Sequence, residues 1–267
     1  FKKLEMEQAK WKYLKDYALS LGAKLILDVF GKKSLKTAEN IGIETIKVHG
    51  TDITNLALLN EIATSSIKKI ILGIGGAHWG EIENAIKILK SKSLTLLCGF
   101  QGYPTKTEEN HIARMNVIEE KTKGIHTDFE MGFADHPGES KIYSTICLVA
   151  IGAGARTLEK HITLGKVMEM EDFESALNPD EFQDFVKQIK IGEKALGHLI
   201  DNEDFGMSSA EKDYRKGIRR DVVANKNISK GEIFNERNTA LKRTAKTNTI
   251  KQLELVIGRK SKNLIKK

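Results

Sequence analysis

Two histidines raise the question of chemistry. In GFADHPG, running from Gly132 to Gly138, an acid and a histidine stand side by side between glycines, and 25 residues on LEKHIT sets a second histidine inside an apolar run. His136 and His161 each close a stretch that reads as a strand. Imidazoles at the ends of adjacent strands can share one Mn²⁺, Zn²⁺ or Fe²⁺ ion, with oxygen ligands and water completing the coordination. Taken singly, His136 reads more simply as the end of a turn and His161 as a satisfied core histidine; the pair in register is what points to a metal. Lys47, in TIKVHG, is a cation within an apolar strand and needs an anion. That anion is either a structural carboxylate such as Glu159 or a carboxylate or phosphate on a ligand. GIGGAHWG, residues 73 to 80, leads into a helical stretch, so its amides can cradle an anion, although many loops of this kind are glycine-rich for packing alone.

The elements that must position these groups follow from hydrophobic periodicity. Six short β-leaning runs, LILDVF (25 to 30), TIKVHG (45 to 50), KIILGIGG (69 to 76), LTLLCGFQ (94 to 101), MGFADHP (131 to 137) and TLEKHITL (157 to 164), alternate with segments of helical period. Strand–helix alternation at this spacing predicts parallel β/α units and a barrel, of which six units are visible where a closed (β/α)8 barrel has eight. Asn178-Pro179-Asp180 then starts one long amphipathic helix. Residues 200 to 217 are polar and glycine-broken, which predicts a linker, and RRDVVANKNISKGEIFNERNTALKR reads as a small, turn-rich β module. The expected division is a partial barrel over 1–199, a linker over 200–217 and a β module over 218–267.

The net charge of +7 is unevenly spread: residues 211 to 267 hold 17 Lys and Arg against 6 Asp and Glu, leaving the first 210 slightly acidic with 26 against 30. A basic tail suits nucleic acid, a cap over an anionic substrate, or a well-solvated small domain. No aromatic series or groove-reading helix accompanies it, so no nucleic-acid partner is expected. Cys98 and Cys147 sit in apolar runs without paired spacing and read as buried thiols of a reducing compartment. No apolar run approaches the roughly 20 residues that cross a bilayer, so no membrane partner is expected and the cytoplasm is the natural location. The chain opens without methionine and closes on SKNLIKK, so both ends read as cut.

Together the motifs resemble the sialic acid synthase family, which condenses phosphoenolpyruvate with an N-acetylated hexosamine to give a nine-carbon 2-keto acid. The resemblance rests on IKVHGTDITN, GFQGYPT, GFADHPG, GARTLEKHITL and DFESALNPDEF in order, and RRDVVANKNISKGEIFNERNTALKR is similar to the antifreeze-like (SAF) module that closes that family's chains. It implies an α/β fold, a (β/α)8 TIM barrel lacking its first two units here, followed by a SAF module. It also implies a domain-swapped homodimer in which each module reaches over the other subunit's barrel. By the same resemblance His136 and His161 hold a divalent metal, Mn²⁺ or Mg²⁺, that polarises the sugar aldehyde, and Lys47 holds the carboxylate or phosphate of phosphoenolpyruvate. Tyr103 and Asp172 contact the sugar, Arg243 of the partner chain contacts its N-acyl group, and Asp52 stands where the family keeps a catalytic acid. Gln101 occupies a substrate-binding asparagine position.

The departures point the other way. Where the family grips its anion with hydroxyls, this chain has Asp28, Gly50, Gly73 and Ala134. A charge-assisted hydrogen bond is worth roughly 1.5 to 3 kcal/mol, so losing several weakens the grip on phosphoenolpyruvate unless backbone amides replace them. Three readings therefore stand: a diverged nonulosonate synthase, a metal-dependent aldolase or lyase on another anion, and a sugar-phosphate or polyanion-binding protein without chemistry.

Overall fold

A computed structural model describes residues 5–100, 102–137, 142–198, 200–244 and 249–267. The chain divides after Gly197 into two compact units.

The first unit is an α/β fold built on one six-stranded parallel sheet whose strands pair in chain order. These are β1 (Leu27–Asp28), β2 (Thr45–Val48), β3 (Lys69–Gly73), β4 (Ser93–Cys98), β5 (Phe129–Asp135) and β6 (Ala155–Lys160). Helices α2 (Lys32–Asn40), α3 (Leu56–Thr64), α4 (Trp79–Ile88), α5 (Arg114–Lys123) and α6 (Tyr143–Gly152) follow successive strands, and α7 (Pro179–Leu196) comes after β6. All six expected strands are present. The first is shorter than its apolar run, because β1 pairs with β2 alone and Phe30 turns outward.

A side-chain contact proves that the sheet curls. Adjacent strands lie about 4.8 Å apart, so four steps from β2 to β6 would separate them by about 19 Å in a flat sheet. Yet Lys47 on β2 lies 2.8 Å from Glu159 on β6. The sheet must bend round on itself, as a barrel wall does, and this is a TIM-barrel-like arrangement.

The core lies between the sheet and its helices. Ile46, Ile70, Leu72, Leu94, Leu96 and Phe133 on the strands meet Leu59, Ile62, Ile86 and Met115 on the helices, all at 1% exposure or less. Each such side chain contributes about 1.5–3 kcal/mol on leaving water. Helix α7 begins with Pro179 after Asn178, whose backbone N–H donates to Glu181 Oε2 at 2.8 Å, the start that the sequence signals.

Two helices have no counterpart in the sequence reading. Helix α1 (Gln8–Ser20) precedes the first strand and has no fully buried residue, although Trp11 packs part-buried against the core. Helix α8 (Ser209–Ile218) lies in the segment expected to be a linker. Ser208 caps it by accepting from Glu211 N at 3.1 Å, and a Ser three residues before a Glu is the cue that announces it.

The second unit, from His198 onward, carries α8 and an antiparallel pair, β7 (Asp221–Ala224) with β8 (Thr239–Lys242). Isolated bridges Ile228–Ile265 and Ile233–Lys260 tie in its last residues. At its centre Asp221, 1% exposed, accepts from Lys251, Thr244 and Thr249, and these partners hold its carboxyl well below the usual range. Among the described residues no helix is long and apolar enough to cross a membrane.

Candidate active site at the mouth of the curled sheet

The site forms just past the C-terminal ends of the strands, where parallel β/α folds place their chemistry. His136 follows β5 and His161 follows β6, and the register pairs Asp135 with Lys160, so the two histidines leave the sheet side by side. Their ring centroids are 5.2 Å apart. Tyr103 stands edge-on to both, 5.3 Å from His136 and 5.7 Å from His161, with its hydroxyl 3.4 Å from His161 Nε2.

Each histidine is fixed from behind. The carbonyl of His136 accepts from Thr105 N at 2.8 Å and from Ser175 Oγ at 2.9 Å, while that of His161 accepts from Leu177 N at 2.9 Å. Burial pushes the His136 imidazole down to about 4, and it lowers His161 as well, so both rings tend to be neutral near pH 7, the form that ligates metals. His136 Nδ1 is buried with no hydrogen-bond partner among the described residues. A buried ring nitrogen left without a partner, on a ring whose centroid lies 5.2 Å from that of a second imidazole, fits a divalent cation whose remaining positions stay open for water or substrate oxygen. Among the described residues no group of three or more His, Cys, Asp or Glu surrounds a common point.

One residue back on each strand, the side chains point the other way. Asp135 and Lys160 form an ion pair at 3.0 Å, with side chains 0% and 3% exposed, and Lys160 Nζ also lies 5.9 Å from the centre of the Tyr143 ring on α6. Burial raises the Asp135 carboxyl against the pull of Lys160. This pair bolts β5 to β6 at the step where the histidines emerge. The sequence reading missed it, although strand alternation puts the residues before His136 and His161 on the helix side.

Lys47 finds its anions inside the protein. Its Nζ donates to Glu159 Oε1 at 2.8 Å and lies 3.5 Å from Asp28 Oδ2, with the lysine side chain 13% exposed. Burial pushes Asp28 up, chiefly opposed by Lys47. Lys47, Glu159, Gly50, Gly73, Ala134 and His136 line a cavity of about 240 Å³. A second cavity of about 480 Å³ lies along the inner face, lined by Asp28, Lys47, Thr157, Glu159 and His161 among others.

The glycine-rich loops have a packing explanation. A Cβ on Gly75 would sit 1.8 Å from the carbonyl of Gly99, and one on Gly99, at φ +108, would sit 2.2 Å from that of Ala134. The loops after β3 and β4 and the end of β5 thus stack backbone on backbone. The start of α4 is already served by an internal anion, since His78 N donates to Glu81 Oε2 at 2.7 Å. Of the GIGGAHWG stretch the amide of His78 is thus taken by the protein's own carboxylate, while Gly73 and Gly75 line the cavity beside Lys47.

The remaining expected residues divide. Asp172 approaches the pair, its Oδ2 3.8 Å from His161 Nδ1, held by a left-handed backbone at φ +60 that aspartate tolerates better than most residues. Asp52 lines neither cavity: its short turn, Gly50–Asp52, aims Oδ1 at Asn55, which donates to it at 2.9 Å. Arg243 follows β8 in the second unit, exposed. Gln101 lies outside the described residues.

Comparison with known proteins gives the family and the fold. The model of the NeuB family matches residues 1–201. The chain is 32% identical over 266 residues to an uncharacterized protein of Methanocaldococcus jannaschii, covering 98% of this chain and 75% of that one. It is also 32% identical over 265 residues to the N,N'-diacetyllegionaminic acid synthase of Campylobacter jejuni, covering 96% and 74%. Among solved structures, N-acetylneuraminic acid synthetase from Leptospira borgpetersenii superposes with a TM-score of 0.70 at 26% identity, over 80% of this chain and 72% of that one. The spore coat polysaccharide biosynthesis protein E of Chromobacterium violaceum has the same fold, with a TM-score of 0.81 at 22% identity over 100% and 77%. By its family match, its relatives and its curled parallel sheet, the chain belongs to the NeuB family, whose named members here are synthases of sialic-type acids.

Proposed function

We propose that this protein is a nonulosonic (sialic) acid synthase-like enzyme that adds a three-carbon pyruvyl unit to the aldehyde of an N-acylated hexosamine, giving a nine-carbon 2-keto sugar acid. The observation that carries this reading is the convergence of His136, His161 and Tyr103 at the strand ends of a NeuB-family chain. His136 and His161 are the residues that would hold Mn²⁺ or Mg²⁺ through ring nitrogens. Such an ion supplies Lewis acidity toward the sugar aldehyde. Tyr103 and Asp172 flank His161 and orient the open-chain sugar by hydrogen bonding, while Lys47 positions the donor carboxylate. With phosphoenolpyruvate as donor, C3 attacks the aldehyde carbon, water adds at C2 and phosphate leaves.

Residues 218–267 act in this reading as a SAF module of a domain-swapped homodimer, Arg243 of each subunit gripping the N-acyl group bound by the other. Leu164, Val167 and Met168, shortly after His161, expose 86%, 92% and 54% of their surface, an apolar rim of the kind a partner covers. A second reading, an aldolase-type addition of another 2-oxo acid, is favoured by the two carboxylates that already neutralise Lys47.

The test is product formation by the Mn²⁺-loaded full-length protein from each donor and a panel of N-acyl hexosamines. A nine-carbon 2-keto acid is expected by mass spectrometry; no product from either donor with any sugar rejects the reading.

A further inference from the structure

We infer that His49 is a specificity-determining residue for the donor: its Nε2–H, beside Lys47, supplies a side-chain hydrogen bond to the phosphate of phosphoenolpyruvate. This inference rests on the synthase reading and adds to it a phosphate-binding residue.

The surroundings of Lys47 call for such a donor. Lys47 Nζ meets Glu159 at 2.8 Å and Asp28 at 3.5 Å, so its charge is already shared before any substrate arrives. A phosphate monoester brings about −1.5 to −2 charges at neutral pH and three acceptor oxygens. Gly50, Gly73 and Ala134 line the cavity without a side-chain donor. At the two glycines, backbone stands where a hydroxyl side chain would: a Cβ on Gly73 would lie 2.7 Å from Gly50 N, and one on Gly50 would lie 3.1 Å from the Gly75 carbonyl oxygen. The hydrogen bond has to come from another position.

His49 is placed to give it. Its backbone is extended, at φ −67 and ψ 150, and it stands two residues after Lys47. Strand alternation therefore turns both side chains inward, while Val48 between them is fully buried in the core on the helix side. Both Lys47 and His49 line the cavity. The turn that follows fixes the imidazole's tautomer. Thr51 N donates to His49 Nδ1 at 3.3 Å, so Nδ1 carries a lone pair and the proton of the neutral ring sits on Nε2. The hydroxyl of Thr51, 2.9 Å from the same Nδ1, is engaged there as well. The Phe30 ring, its centroid 6.1 Å from that of the imidazole, flanks it. Among the described residues Nε2 makes no hydrogen bond, which leaves its N–H for an anion seated at Lys47.

The experiment is calorimetry on the Mn²⁺-loaded full-length protein with phosphoenolpyruvate and with inorganic phosphate, repeated on His49→Ala and His49→Gln, with circular dichroism to confirm that each variant folds. The side-chain amide of glutamine can donate from near the place of Nε2. His49→Ala is expected to weaken both probes at least about tenfold, and His49→Gln to recover them to within about threefold. In the product assay the loss should appear in KM for phosphoenolpyruvate and leave KM for the sugar within about threefold. Unchanged phosphoenolpyruvate affinity in His49→Ala, a loss that His49→Gln does not recover, or no binding of either probe by the unaltered protein overturns the inference. Donor binding that depends on His49, with no product from any sugar, supports it while rejecting the synthase reading, so the two fail separately.

Discussion

Replacing Lys160 with methionine should destabilise the first unit severely, and restoring neutrality should rescue it. Asp135 and Lys160 are 3.0 Å apart with side chains 0% and 3% exposed. At an effective dielectric near 20, that separation gives an attraction of about 5–6 kcal/mol, set against several kcal/mol of lost hydration for each ion. Burial wins that contest at Asp135, whose carboxyl is raised despite its partner. Lys160→Met keeps the buried volume but strands the carboxylate, at a cost of about 3–5 kcal/mol. For a unit of this size each kcal/mol lowers the midpoint by about 2–4 °C, so a fall of roughly 6–20 °C is expected. The double variant Asp135→Leu with Lys160→Met removes both charges and should return to within about 1–2 kcal/mol of the unaltered protein. The pH dependence has a definite sign. A carboxyl raised in the folded state binds its proton more readily there than in the unfolded chain, so the single variant should regain stability as pH falls and lose it as pH rises. Thermal and urea unfolding followed by circular dichroism at pH 8 and pH 5 measure all of this. A Lys160→Met variant within about 1 kcal/mol of the original, or a double variant no better than the single, refutes the reasoning.

Gly99→Ala should cost at least about 2 kcal/mol in urea unfolding, because its Cβ would lie 2.2 Å from the Ala134 carbonyl at a φ that alanine resists. In the second unit, Asp221 is held below the usual carboxylate range by Lys251, Thr244 and Thr249. Its stabilising contribution is therefore fully present above the unfolded value of about 3.9 and is lost as pH falls through the folded one. Acid titration followed by NMR of that unit should show the slope in the acid range, and Asp221→Asn should flatten it. If the module is swapped, mixing Arg243→Ala chains with His161→Ala chains should restore activity that neither has alone; absence of complementation counts against the exchange.

Much of the architecture was legible because it follows hydrophobic period and caps. The parallel runs of Ile and Leu from Lys69 to Gly73 and from Ser93 to Cys98 signal strands buried on both faces, and Asn178-Pro179 marks the start of α7. Helix α1 was missed, because it lies mostly exposed and meets the core only through part-buried side chains such as Trp11. At the site, His136 and His161 were found from their places at strand ends, and their approach to 5.2 Å depends on a register that spacing alone suggests. The partners of Lys47 belong to a different level. That it pairs with Glu159, 112 residues away, depends on the curl of the whole sheet, so the sequence poses the need for an anion without deciding whose it is.

The central claim is that His136 and His161 together hold one divalent cation, and Mn²⁺ binding followed by electron paramagnetic resonance tests it most directly. One site per chain is expected in the full-length protein, its affinity weakened at least about tenfold by His136→Ala or His161→Ala alone and abolished by both. Tight binding that survives the double substitution, or none in the unaltered protein, would contradict the account.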